Sequence, residues 1–203
     1  MCLGGFAKAH PHVFVDARTS FIFNDAARLK TLRISWTYDA FTTLVLFETL
    51  QLDKDGNGML SEADISSVIE GETVWPPGYK GDVYLDVSGR DYPLGRPEAV
   101  QVVYENSRLE VSFDLPLSEP VELTSTPAIL RLYDPLYYYS YTILPSEPVF
   151  ELPDGCTSKL IRFEPDAAAR AWQEELAALS REEIPDQADV GRSFSDEVRL
   201  TCG

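Results

Sequence analysis

The stretch "AVQVVYENSRLEVSFDLPL", residues 99–117, constrains the fold more than any other part of the chain. From Leu109 to Leu117 every second residue is apolar, and the residues between are polar or proline. Side chains of a strand point alternately to its two faces, so this spacing requires a strand with one buried face. "ENSR" just before it is a turn signal, which makes the preceding run an antiparallel partner. The rest of the segment from Tyr79 to Leu144 has the same texture, in "GDVYLDVSGRDYPL" and "AILRLYDPLYYYSYTIL", with "SGRD" as a second turn. The segment "RLYDPLYYYSYTI" carries Tyr133, Asp134, Tyr137, Tyr138, Tyr139 and Tyr141, and is expected to be a strand with its aromatics in the core.

The flanking regions complete the pattern. Residues 12–23 and 31–38 alternate and are expected to form an antiparallel pair across the turn "NDAARLK". Asp39 is placed to cap a helix running to Leu50, with Phe41, Leu44 and Val45 recurring at helical spacing. A second helix, "SEADISSVIEG", sets Ile65, Val68 and Ile69 on one face. Residues 148–163 predict further strand, and "PDAAARAWQEELAALSRE" predicts a helix with Ala169, Trp172, Leu176 and Leu179 on one side. Residues 181–196 read as a flexible connection, and "DEVRLTC" as a returning strand. The expected fold is α+β, a mostly antiparallel β-sheet domain with a helix–loop–helix insertion at 39–71 and a C-terminal helix.

A length of 203 residues suits one domain, taken as 10–203, and 44% hydrophobic residues suffice for a core. The 33 acidic against 17 basic residues give a net charge of −16, which repels nucleic acid and anionic lipid and attracts cations. No apolar run approaches the roughly 20 residues needed to span a bilayer. Ala7-Lys8-Ala9 has the form of a signal-peptidase site with cleavage before His10, so residues 1–9 are read as a signal-peptide remnant. Cys2 falls in that leader. Cys156 and Cys202 remain, an even number suited to one disulfide in an oxidising compartment such as the periplasm. Two unrelated free thiols are the alternative.

"DKDGNGMLSEAD", residues 53–64, resembles an EF-hand loop. Asp53, Asp55 and Asn57 supply oxygens at the first, third and fifth positions, and Gly58 takes the sixth, where the chain turns with positive φ. Met59 offers a backbone carbonyl, Ser61 a hydroxyl or a bridging water, and Asp64 closes the set. Asp64 is one methylene shorter than the usual glutamate, which predicts weak calcium binding or a preference for magnesium. The alternative is an Asx-rich turn that holds no ion.

His10 and His12 are the chain's only histidines. Residues two apart in an extended segment share a face at roughly 6.6 Å, so the rings can converge on one ion, with Asp16 further along as a carboxylate. Imidazole suits nickel, cobalt, zinc or copper. Cleavage before His10 would add its α-amine, and Pro11 rules out ligation through consecutive amide nitrogens. Two solvated histidines are the alternative. No HExxH, GxSxG, CxxC or phosphate-cradling loop is present, and no enzymatic activity is expected.

Taken together, "AHPHVFVDA", "WTYD", "LDKDGNG" and "LYDPLYYYSYTI" resemble the domain-of-unknown-function family numbered one thousand and seven. Its members are labelled periplasmic components of an uncharacterised ABC-type transport system, and their genes lie beside nickel/cobalt-type exporters. The resemblance implies a periplasmic metal-binding accessory protein handling nickel, cobalt or zinc beside an inner-membrane metal transporter. On that reading Asp134 is a carboxylate near the histidines. The other reading is a non-enzymatic interaction or structural module stabilised by calcium in the 53–64 loop.

Overall fold

The computed structural model describes residues 11–145, 152–180 and 183–203. The chain opens with strands β1 (Val13–Phe23) and β2 (Leu29–Tyr38), then helices α1 (Ala40–Leu50) and α2 (Glu62–Thr73). Strands β3 (Val83–Val87), β4 (Arg90–Tyr92), β5 (Glu98–Glu105), β6 (Arg108–Val121), β7 (Ala128–Leu132) and β8 (Tyr139–Ile143) follow. The chain ends with β9 (Cys156–Ile161), helix α3 (Ala167–Ala177), a 3-10 turn (Val190–Phe194) and β10 (Glu197–Cys202).

These strands form two five-stranded sheets, ordered β5-β6-β2-β1-β8 and β4-β3-β7-β10-β9. The alternation of β6 does what its pattern requires: Leu109, Val111, Phe113, Leu115 and Leu117 are all buried. They meet Val15, Ala17, Leu32 and Ile34 of the same sheet and Val83, Leu85, Leu130 and Leu200 of the other in one continuous core. Trp36 packs edge-on to Phe113 with ring centroids 4.8 Å apart, a favoured aromatic geometry. Fully burying side chains of this size contributes roughly 1.5–3 kcal/mol each. The fold is therefore mixed α/β, with two mostly antiparallel sheets and three α-helices among the described residues. The β1–β2 pair is antiparallel as expected.

Several local expectations need correction. Asp39 caps α1, its Oδ1 accepting from Thr42 N at 2.9 Å. The helix nevertheless turns Phe41, Leu44 and Val45 outward, at 72%, 65% and 44% exposure, and buries Thr42 and Thr43. Leu46, Phe47 and Leu50 pack against the core instead, and Thr43 Oγ1 accepts from the buried Leu109 N at 3.0 Å. "RLYDPLYYYSYTI" is two strands, β7 and β8, separated by a turn at Asp134–Tyr138. That break allows β8 to pair with β1 in parallel, Val13 opposite Tyr139 and Ala17 opposite Ile143. Strand is observed at 156–161 within the predicted 148–163, of which residues 148–151 lie outside the described residues. The predicted flexible connection contains the 3-10 turn, and Val190 and Gly191 within it are buried. Gly191 has a reason to be glycine: a Cβ there would lie 2.0 Å from the Asp134 carbonyl oxygen.

The inward faces of α2 and α3 are those the spacing indicated, with Val68 and Leu176 buried. β10 pairs with both β7 and β9, and Cys202 stands opposite Cys156 in the ladder, where the two form a disulfide.

Candidate functional site

The parallel β1–β8 pair brings together two of the four segments that carry the family resemblance. His12 N donates to the Tyr138 carbonyl at 2.8 Å and Val13 N to the same oxygen at 3.2 Å. The His12 and Tyr138 rings are 4.6 Å apart, and His12 Nε2 is shielded from solvent. The turn that presents Tyr138 is built by Asp134. Its Oδ2 accepts from Tyr138 N at 2.7 Å and Tyr139 N at 3.2 Å, and its Oδ1 from Leu136 N at 3.0 Å. Tyr137 completes the turn in the left-handed region, φ 58°, with its ring 4.8 Å from Phe194 of the 3-10 turn. Close packing of Gly191 on Asp134 then fixes the whole assembly.

His10 lies outside the described residues. Asp16 is joined to Arg108, whose Nη1 is 2.8 Å from its Oδ2. Arg108 also donates to the carbonyls of Tyr38 and Thr37 at 2.8 and 3.0 Å. The guanidinium thus ties β6 to β2 and β1, and Asp16 is part of that tie. Among the described residues, no three His, Cys, Asp or Glu side chains converge in a way that would hold a metal ion.

The second predicted site is the loop between α1 and α2. Asp53 organises it, Oδ1 accepting from Asn57 N at 2.9 Å and Oδ2 from Gly58 N at 3.0 Å. Asp55 Oδ2 accepts from Asn57 Nδ2 at 2.8 Å, and Asn57 Oδ1 accepts from Met59 N at 2.8 Å. Gly56 and Gly58 have φ of 66° and 80°, conformations that favour glycine. Ser61 and Asp64 form a capping box on α2: Asp64 N donates to Ser61 Oγ at 3.2 Å, and Ser61 N donates to Asp64 Oδ2 at 2.9 Å. The Ser61 hydroxyl and N–H hold the Asp64 carboxyl below its ordinary value. The helix–loop–helix is therefore present, with Asp53, Asp55 and Asn57 drawn together over one turn of backbone. These side chains are already engaged with the loop itself.

A third cluster gave no sequence signal. Asp82, 3% exposed, has φ 55° and leads directly into β3. Its carbonyl accepts from Tyr133 N at 3.0 Å and its Oδ2 from the Tyr141 hydroxyl at 2.8 Å. Trp75 lies where a Cβ on the preceding Gly81 would fall, at 2.1 Å. Burial pushes the Asp82 carboxyl up to about 7, and the negative Asp134 adds to this, against hydrogen bonding from Tyr141 and Tyr79. Beside it Tyr38 donates to Glu72 at 2.5 Å, and burial raises Glu72 as well. In "YKGDVYL" the aspartate looks like a solvated turn residue; only the meeting of the sheets buries it.

Two five-stranded sheets on a shared core, a helix–loop–helix, a histidine just before the first strand and a disulfide between β9 and β10 define a mixed α/β protein. The disulfide is compatible with an extracytoplasmic protein, and among the described residues no helix is long and apolar enough to cross a membrane. The chain belongs to the family described as "Protein of unknown function (DUF1007)", whose model matches residues 1–202. It is similar to an uncharacterized protein of Haemophilus influenzae (strain ATCC 51907 / DSM 11121 / KW20 / Rd), 24% identical over 197 residues. That match covers 96% of this chain and 91% of the relative. No solved structure matches.

Proposed function

We propose that this is a periplasmic, non-enzymatic metal-binding accessory protein that handles nickel, cobalt or zinc beside an inner-membrane transporter. The observation that carries the reading is the fixing of His12 on the Tyr138 carbonyl, above a turn that Asp134 holds with three backbone hydrogen bonds. An imidazole held by its backbone and a neighbouring ring loses little freedom on ligation, which favours binding. His10 adds a second imidazole one proline away, and its α-amine a third nitrogen if processing occurs at Ala9. The net charge of −16 favours the approach of dications.

Calorimetric titration of protein beginning at His10 with nickel, cobalt and zinc chlorides tests the reading. Binding at one site per chain is expected, and it disappears in a His10→Ala/His12→Ala variant. Unchanged affinity in that variant overturns the proposal.

The Asp53–Asp55–Asn57 arrangement supports a second reading, a module stabilised by calcium or magnesium in the 53–64 loop. Here a chelator lowers the melting temperature of the wild type and leaves Asp53→Ala where it was. A chelator without effect on the wild type removes this reading.

A further inference from the structure

The outer face of the second sheet carries a pocket of about 590 Å³ that neither proposed metal site uses. Its volume is on the scale of small-molecule sites, roughly 300–1,000 Å³. The floor is built by strand alternation. Val83, Leu85, Leu130 and Leu132 point into the core, so Tyr84 and Arg131, paired across β3 and β7, point outward. Asp189 and Arg192 line it from the 3-10 turn at 190–194 and the residue before it, and Gly78, Tyr79 and Lys80 line it from the loop ahead of β3.

Charge in this pocket departs from the rest of the molecule. Lys80, Arg131 and Arg192 face Asp86, Asp91 and Asp189, three cations against three carboxylates, in a chain with a net charge of −16. Most of these groups already have partners. Lys80 pairs with Asp91, Arg131 pairs with Glu197 behind it, and Asp86 accepts from Gly89 N at 2.8 Å in the hairpin turn. Arg192 and Asp189 remain. Both are exposed, and neither forms an ion pair among the described residues. They sit one turn apart, with Arg192 N donating to the Asp189 carbonyl at 3.1 Å.

The aromatic residues narrow the ligand class. Tyr84 and Tyr133 stack at 3.9 Å and 11°, and the Lys80 ammonium lies 5.5 Å from the Tyr84 ring centroid. With one neighbour a ring and another an ammonium, Tyr84 is a poor platform for stacking a sugar. Both phenols are raised by burial, so they stay protonated at neutral pH and offer hydroxyl donors. Neither hydroxyl has a hydrogen-bond partner among the described residues.

We infer that this pocket binds the zwitterion of a small amino acid, with its carboxylate on Arg192 and the phenol hydroxyls and its ammonium on Asp189. An anion would engage Arg192 alone, and a cation Asp189 alone. A ligand bearing both charges satisfies the two together, and each charge-assisted hydrogen bond is among the stronger polar contacts. The inference does not rest on the metal sites, because none of their residues lines this pocket.

Calorimetry on the full chain with the common L-amino acids, one at a time, tests it. At least one is expected to bind the wild type. For that amino acid, Arg192→Gln and Asp189→Asn each weaken binding about tenfold or more. Its deaminated and decarboxylated analogues lose a similar factor. Tyr84→Phe keeps the stack and removes one donor, and it also weakens binding. The charged pair is exposed, so both substitutions leave the melting temperature in place. If no amino acid binds, if either half-analogue binds as tightly, or if neither charge substitution weakens binding, the inference is wrong.

Discussion

Tyr141 of β8 donates its hydroxyl hydrogen to Asp82 Oδ2 at 2.8 Å, and that bond runs from one sheet to the other. It links residues 59 positions apart. A carboxylate buried there loses its hydration, and the Tyr141 bond offsets only part of that loss. The group therefore prefers to be protonated in the folded chain, and its value rises from the usual 3.8 to about 7.

The consequence for stability has a definite sign. The folded state holds the Asp82 proton more tightly than the unfolded state, so this group favours folding most at low pH. Below the unfolded value both states are protonated and there is no cost. As pH rises toward about 7 the unfolded chain gives up its proton first, and stability falls by roughly 4 kcal/mol in all. Asp82→Asn keeps an acceptor for Tyr141 and cannot ionise. Urea unfolding of both proteins between about pH 4 and pH 8 should show the variant gaining on the wild type as pH rises. Parallel curves would show that Asp82 ionises as freely in the fold as outside it.

Thr43 tests a different kind of burial. It is 2% exposed, and its hydroxyl gives the Leu109 N–H its acceptor. Thr43→Val has nearly the same shape but leaves that N–H buried without a partner, a cost of roughly 1–3 kcal/mol. Thr43→Ser keeps the oxygen and loses a methyl, so it should cost less. Denaturation midpoints of the two variants decide the point. A valine variant as stable as the wild type would mean that α1 is held by packing alone.

Thr43 also shows where reading the sequence succeeds and where it stops. Strand β6, the Asp39 cap and the inward faces of α2 and α3 were legible because each depends on neighbours within a few residues. The face of α1 was not. Phe41, Leu44 and Val45 are no more apolar than Leu46, Phe47 and Leu50, and it is the latter three that pack against the core, beside the Thr43–Leu109 hydrogen bond to a strand 66 residues away. The parallel pairing of β1 with β8, and the division into two sheets, likewise have no local signature. Residues 189–196 are polar enough to read as a linker, but the tight contact of Gly191 on Asp134 packs them. Of the candidate residues, the engagement of Asp53 with its own loop follows from short-range turn chemistry. The burial of Asp82 arises only when distant strands assemble.

The Cys156–Cys202 disulfide closes a loop of 46 residues, and the chain-entropy model assigns such a closure roughly 4 kcal/mol. Among the described residues β9 lies at the edge of its sheet and pairs only with β10, so the bond also holds an edge strand. A Cys156→Ser/Cys202→Ser variant should lose stability of about that size. Amide exchange should accelerate first in β9 and leave β1 and β2 protected. Uniform acceleration across both sheets would mean that β9 unfolds only with the whole molecule.

On the proposed metal-binding reading, Asp16 and Asp134 make opposite predictions. Asp16 is committed to Arg108 and stands four residues along β1 from His12, roughly 13 Å in an extended strand. A carboxylate at that distance does not share an ion with the His12 ring, so Asp16→Asn should leave nickel affinity within about twofold of the wild type. Asp134 acts on His12 through the backbone, since it fixes the N–H of Tyr138, whose carbonyl holds His12 N. Asp134→Ala frees three N–H groups and loosens the turn, which should weaken nickel binding about tenfold and also lower the melting temperature. The coordination spectrum of the bound ion should be unchanged in Asp134→Ala, because the residue positions a ligand without being one. A changed spectrum would instead make Asp134 a ligand, and loss of affinity in Asp16→Asn would mean that His12 does not stand before β1 in the position described.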